Sequence, residues 1–479
     1  MQRSVLRARR KPWLMEQLDR CSTRLLAILA LHVLYALLIV FAGALTYSGK
    51  AALFAFLSAM TLWVATSIPA GLVASGLIVF VVLVKAAEPE LLYASLSEEV
   101  VWLMIGSFMI GEAVKESGLA ERLSRSIKGS RHTIINRFTS LLLLSAFLIP
   151  STSGRAALSI PVVKQLRPFF SKEESNVLAI ITPVIILMST SATLIGAGSH
   201  LIGIGLLEAT TGETISFVQW LVWAVPFTIA ITFASLWVVK WQLWPERKRK
   251  ERMDKGRSLQ QNRVGPLTQK EKKTAGLIVC MMAAWITESV HGYDLGFVTV
   301  TGALLLAVPR FGVLTWKQAV ASVSWNLILF VAAAAALGTL LVESGVVSWM
   351  EREMMGNLHL FTTMPEWFMV IGILLVATTS HLYITSHTTR AIVLIPSLLL
   401  VAQAIEANAV SVVFLSLIGM NYCVTFPISS KALLLFYEEE SVSYEARDLM
   451  KISVYLLPLY IAVMLLFYFT YWRWTGLAI

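Results

Sequence analysis

The chain has 479 residues, 57% of them hydrophobic and only 14% charged, and its mean hydropathy is +0.73. Those values exclude a soluble globular domain and point to an all-α polytopic membrane protein. The formal charge of +10 does not imply a nucleic-acid partner, because the positives gather in segments where membrane orientation accounts for them.

The first such segment is the N-terminus, with Arg3, Arg7, Arg9, Arg10 and Lys11, and the second is a central loop with Arg247, Lys248, Arg249, Lys250 and further Arg and Lys up to Lys273. By the positive-inside rule both lie in the cytoplasm, so the chain is expected in a bacterial inner membrane with its N-terminus on the cytoplasmic side. The first apolar run is not followed by a small-residue cleavage pattern, so it is read as a retained span. Cys21, Cys280 and Cys423 fit neither a disulfide framework nor a zinc spacing.

A spanning helix needs about 20 apolar residues. Suitable stretches lie near 25–47, 51–66, 69–87, 100–115, 177–207, 217–243, 274–290, 295–309, 324–342, 409–437 and 452–472. Two further segments, 133–170 and 366–405, are too long for one span and are interrupted by polar loops at 150–154 and 385–389. Each is expected to enter and leave on one side as a re-entrant hairpin. The expectation is therefore about 11 spans plus two hairpins.

Several motifs recur about 230 residues apart, in the same order. Both 100–115 and 324–342 run into Glu-Ser-Gly, at 116–118 and 343–345. "STSGRAALSIP" aligns without a gap on "SHTTRAIVLIP", pairing Ser151 with Ser386, Thr152 with His387, Ser153 with Thr388, Arg155 with Arg390 and Pro161 with Pro396. A weaker pair is "TLIGAGSHLI" (193–202) against "VTFPISSKAL" (424–433). Loop charges orient the copies oppositely, giving an inverted repeat of the kind found in secondary transporters. The resulting divisions are a basic segment with membrane helices (1–99), repeat 1 (100–244), a basic cytoplasmic loop (245–273), further helices (274–323) and repeat 2 (324–479).

Non-helical backbone at membrane depth is tolerated only inside the protein or along a cavity. The hairpin tips and the interruptions at 189–200 and 424–431 are the places for it. A half-helix starting at a tip presents free N–H groups and a positive dipole end. A buried arginine costs roughly 2.5–3.5 kcal/mol on insertion scales, so the matched Arg155 and Arg390 either face an anion held between the tips or brace the hairpins through backbone carbonyls and carboxylates.

Two hairpins with a Ser-x-Ser/Thr tip, each followed by a span broken at a small-residue loop, resemble the divalent anion/sodium symporter family. That family sits in the wider ion-transporter group with arsenite and citrate carriers, and the likeness covers about 100–472. It implies a homodimer in the lipid bilayer, divided into a scaffold and a transport domain that moves as an elevator. It also implies substrate binding at Ser151, Thr152, Ser153, Ser386, His387 and Thr388, and a cation region spanning Thr193, Gly196, Ser199 and His200 and again Thr425, Ser430 and Lys431. No cofactor is expected beyond a coupling Na⁺ or H⁺.

The chain departs from the family where Thr152 and His387 stand for the tip asparagine, and where His200 and Lys431 stand for small neutral residues. An ammonium beside a sodium ion is repelled by about 4 kcal/mol at 4 Å. Lys431 therefore either replaces the second sodium, giving proton coupling or exchange, or lies a turn away toward the cytoplasm. His387 is either a proton carrier or a neutral donor.

The cargo expected is a small, divalent anion: a di- or tricarboxylate, or a sulfur oxyanion or sulfonate. Tyr383, Tyr422 and Phe426 leave room for an aromatic anion. The rivals are a passive anion channel and an intramembrane enzyme, the latter without a Gly-x-Ser-x-Gly, His-Glu-x-x-His or paired intramembrane aspartates to support it.

Overall fold

The computed structural model describes residues 13–479 apart from 42, 44, 67, 120–121, 123–130, 148, 150–151, 246–265, 347, 350–364, 385–386 and 440–442. The N-terminal arginine cluster, most of the basic central loop, Ser151 and Ser386 thus lie outside the described residues. Among the described residues there are α-helices and short 3₁₀ turns, and no strand. The first ten helices are α1 (Trp13–Phe41), α2 (Tyr47–Ala65), α3 (Ala70–Leu83), α4 (Glu90–Ala94), α5 (Glu99–Ser117), α6 (Arg131–Ser145), α7 (Thr152–Leu166), α8 (Lys172–Met188), α9 (Gly198–Thr211) and α10 (Phe217–Leu243). The second ten are α11 (Gln269–Ile286), α12 (Glu288–His291), α13 (Leu295–Ala307), α14 (Trp316–Ser322), α15 (Trp325–Glu343), α16 (Glu366–Thr379), α17 (His387–Ala404), α18 (Ala409–Met420), α19 (Lys431–Tyr437) and α20 (Ala446–Thr470).

Helix boundaries follow from local chemistry. Ser171, Ser216 and Thr268 begin α8, α10 and α11 with capping boxes closed by Glu174, Gln219 and Glu271, which satisfy N–H groups that a helix start leaves free. The repeated Glu-Ser-Gly ends α5 and α15 in the same way. Gly118 (φ 76) and Gly345 (φ 75) both take the left-handed conformation that terminates a helix and that glycine adopts without a steric penalty.

The duplication is visible in the packing. Helices α5 to α10 have counterparts in α15 to α20, and each contact recurs with the copies exchanged. α5 packs on α13 and α15 on α3; α6 and α7 lie on α8 as α16 and α17 lie on α18; α9 packs on α17 and α19 on α7; α10 and α20 pack on one another. These contacts divide the helices into two groups, one of α1–α5 with α11, α13, α14 and α15, the other of α6–α10 with α16–α20. The seam between them is carried chiefly by α9 against α5 and α15.

Four stretches, Lys172–Ala192, Phe217–Leu243, Trp325–Glu343 and Ala446–Thr470, are long and apolar enough by themselves to cross a membrane. α4 with its following turn and α5 form a pair bent by 50°. Shorter apolar helices include Gly71–Leu83, Leu295–Ala307 and Ala409–Met420. Several of the apolar stretches in the sequence therefore hold helices shorter than a full span.

The two most extensive crossings depend on glycine. A methyl group on Gly106 of α5 would lie 2.9 Å from the Thr299 carbonyl carbon of α13, and one on Gly71 of α3 would lie 2.5 Å from the Asn326 carbonyl oxygen of α15. Small residues let helix backbones approach this closely in membranes. Gly106→Ala and Gly71→Ala are each expected to destabilise the protein by about 1–3 kcal/mol, read as a lower melting temperature in detergent, whereas Gly76→Ala, with open space around it, leaves it unchanged.

Candidate functional site

Two helices are interrupted inside the second group. α8 ends at Met188 and the chain passes through 3₁₀ turns at Thr190–Ala192 and Leu194–Gly196 before α9 begins at Gly198. α18 ends at Met420, and a 3₁₀ turn at Pro427–Ser429 precedes α19 at Lys431. Each interruption leaves carbonyl groups at the end of a half-helix, and a buried carbonyl without a donor costs several kcal/mol in an apolar medium.

A buried arginine sits at each of these ends, and Arg390 supplies the carbonyl donors at α18. Arg155, 1% exposed, donates from Nη2 to the Leu142 carbonyl (2.9 Å) and to Ser189 Oγ, and from Nε to Ser145 Oγ at 3.1 Å. Arg390, fully buried, donates from Nη1 to the carbonyls of Met420 (2.7 Å) and Tyr422 (3.2 Å). Ser189 and Met420 occupy equivalent places at the ends of α8 and α18. Both guanidinium groups therefore sit at the negative end of a helix dipole. Of the two orientations open from the sequence, this is the bracing one, and neither arginine lines the cavity described next.

That cavity, of about 440 Å³, opens at the seam. Repeat 1 supplies Thr152, Ser153, Gly198 and Ser199, repeat 2 supplies His387, Thr388, Ser430 and Lys431, and the facing wall comes from Met104, Ser107 and Phe108 of α5 with Ser324 and Leu327 at the start of α15. Four of these, Thr152, Gly198, His387 and Lys431, are the first residues of α7, α9, α17 and α19. Four helix N-termini thus converge on one space, each bringing the positive end of a helix dipole. Lys431 is exposed to the cavity; among the described residues it is the only lysine or arginine lining it, and no carboxylate does. Ser199 Oγ and His387 Nδ1 are buried without a hydrogen-bond partner among the described residues.

The other expected residues lie behind this surface. Thr193 donates to the Ala146 carbonyl at 3.2 Å. Gly196 has no room for a side chain, since a Cβ would meet the Thr190 carbonyl oxygen at 2.2 Å. His200 is fully buried, with Nδ1 donating to the Thr193 carbonyl (3.2 Å), Nε2 accepting from Asn421 Nδ2 (2.9 Å), and its ring 4.6 Å from that of Trp220. Thr425 bonds His381 Nε2 and Ser453 Oγ, each at 2.7 Å. His200 and Lys431, aligned in sequence, thus differ in place: one is sealed in, the other faces the cavity.

Sequence reasoning missed Asn421, which joins the two interruptions by donating to both Ser191 Oγ (2.8 Å) and His200. It also missed His381. The one signal for Asn421 was an amide set between an apolar run and a helix break. Cys423, which fits neither a disulfide framework nor a zinc spacing, lies with Sγ 3.1 Å from His387 Nε2.

The family model described as the sodium:sulfate symporter transmembrane region matches residues 20–478. The chain belongs to this family. A membrane protein of Cupriavidus necator is 24% identical over 402 residues, covering 80% of this chain and 76% of that one. The L-tartrate/succinate antiporter of Escherichia coli K12 is 24% identical over 324 residues, 64% of this chain and 65% of its own length. In fold, the chain is similar to the Alcanivorax borkumensis YdaH transporter, with a TM-score of 0.56 at 12% identity, covering 84% of this chain and 89% of that one. This sodium:sulfate symporter relative is accordingly a multi-pass integral membrane protein and a secondary anion transporter, not an enzyme.

The arginine braces and the cavity lysine are expected to respond differently to substitution. Arg390→Ala strands the Met420 and Tyr422 carbonyls and should cost about 2–5 kcal/mol, visible as a large fall in melting temperature. Lys431→Ala removes an exposed side chain and should leave the stability within about 0.5 kcal/mol of wild type, with little change in melting temperature.

Proposed function

We propose that this transporter carries a small dicarboxylate in the seam cavity and that Lys431 takes the place of a coupling sodium, so that transport runs as exchange or with protons. The observation that carries this reading is the lining: four helix N-termini, hydroxyls from both tips and, among the described residues, one ammonium and no carboxylate. Such a wall favours an anion, and its volume is within the range of small-molecule sites. The relationship to a tartrate/succinate antiporter supports a four-carbon dicarboxylate. An ammonium opposes sodium binding beside it while leaving a dianion partly neutralised.

The division into two helix groups with a narrow seam supports an elevator motion, in which α6–α10 and α16–α20 slide past the rest and carry the cavity across the bilayer. We place the N-terminus in the cytoplasm of a bacterial inner membrane on the strength of the loop charges; the homodimer rests on the family resemblance alone.

In proteoliposomes loaded with unlabelled succinate, uptake of labelled succinate is expected at equal rates in sodium and in potassium buffer at fixed pH. Lys431→Ala should reduce it at least about tenfold, the loss expected for one charge contact worth about 1.4 kcal/mol. A strict requirement for sodium in the wild type would refute the lysine's role. Exchange of sulfate but not of succinate would refute the choice of cargo and leave the lysine's role standing.

A further inference from the structure

A second cleft, of about 730 Å³, lies away from the seam among the ends of α5, α11, α13 and α14. Its wall holds Lys270 and Arg310 beside Trp316, Leu304 and Val308, with Glu116 the one acidic residue among the described ones. Neither Lys270 nor Arg310 has an ion-pair partner among the described residues. Trp316 is 58% exposed and Val308 41%, and Leu304 and Leu305 continue the apolar exposed face along α13. An aromatic ring beside cationic side chains, at the head of an apolar helix face, is the composition of a membrane interface.

The loop that presents Arg310 is built to hold its shape. The amides of Val313 and Leu314 both donate to the Leu306 carbonyl (2.8 and 3.0 Å), Gly312 N–H donates to the Val308 carbonyl (2.7 Å), and Lys273 Nζ donates to the Phe311 carbonyl at 2.8 Å while sitting 5.1 Å from the centre of its ring. Arg310 itself has φ 67, a left-handed backbone that costs a residue with a side chain and that persists only where the surroundings impose it. Stability would prefer glycine there. The strained position instead carries a guanidinium pointing charge at a cleft with an apolar floor, and by the loop charges this end of the bundle faces the anionic inner leaflet.

We propose that this cleft binds the phosphodiester of an anionic phospholipid, with Arg310 and Lys270 on the phosphate, Trp316 at headgroup level and the acyl chains along Leu304, Leu305 and Val308. The site is separate from the cargo cavity and holds whatever the cargo proves to be.

The test uses the full-length protein in nanodiscs of dioleoylphosphatidylcholine with and without about one lipid in five replaced by dioleoylphosphatidylglycerol. Melting temperature and retained lipid by native mass spectrometry are compared for wild type, Lys270→Ala and Arg310→Gly. Arg310→Gly removes the charge while suiting the left-handed backbone, so it should melt no lower than wild type in phosphatidylcholine. Wild type is expected to gain melting temperature and to retain phosphatidylglycerol, and each variant to lose affinity roughly fivefold. An equal gain in the variants would overturn the site. An equal gain from inorganic phosphate added to phosphatidylcholine discs would also overturn it, since the occupant would then be a free anion rather than a lipid.

Discussion

A helix that stops inside an apolar phase leaves carbonyl groups with nothing to accept from, and this fold is arranged around meeting that demand twice. α8 and α18 both stop in the protein interior, and a buried arginine from the preceding helix sits at each end: Arg390 of α17 donates to the Met420 and Tyr422 carbonyls, and Arg155 of α7 donates to the Ser189 hydroxyl and to the Leu142 carbonyl near the end of α6. The charge is tolerable because it lies at the negative pole of the helix it closes. Once those ends are fixed, α9 and α19 can start afresh, and it is their starts, with those of α7 and α17, that give the cavity its positive wall. The arginines therefore act on the anion at one remove: they hold the breaks, and the breaks aim the N–H groups.

The two repeats meet this demand with the same residues but divide the remaining work. Repeat 1 spends its aligned basic position, His200, on the hydrogen-bonded junction with Asn421 and Trp220. Repeat 2 leaves its counterpart, Lys431, free to face the cavity. His387 touches both the cavity and Cys423, whereas its counterpart Thr152 brings a hydroxyl. Duplication supplied the frame, and divergence at a few positions made it a site.

Much of this was legible in the sequence because the signals are interruptions. Gly, Pro and hydroxyl residues inside apolar runs mark where helices must stop, and Glu-Ser-Gly at both 116–118 and 343–345 marks termini that the left-handed glycines then form. The direction of Arg155 and Arg390 was not legible. A long side chain one turn into a half-helix reaches either the tip or the neighbouring helix end, and only packing decides which. Nor could the sequence single out Met104, Ser107, Phe108 and Leu327, which look like any residues of an apolar helix and gain meaning only because α5 and α15 face the seam. Ser151 and Ser386, the outermost tip residues, lie outside the described residues.

The unequal pair His200 and Lys431 also bears on ligand orientation. An inverted repeat with identical halves would offer a two-fold symmetric chamber, in which a dianion and its end-for-end reversal are equivalent. With an ammonium on one side and a sealed imidazole on the other, that equivalence is lost. A dianion of the kind proposed as cargo would have a distinguishable head and tail in it. The chamber is thus polar: its charge marks one end, so an unsymmetrical diacid has a preferred orientation in it.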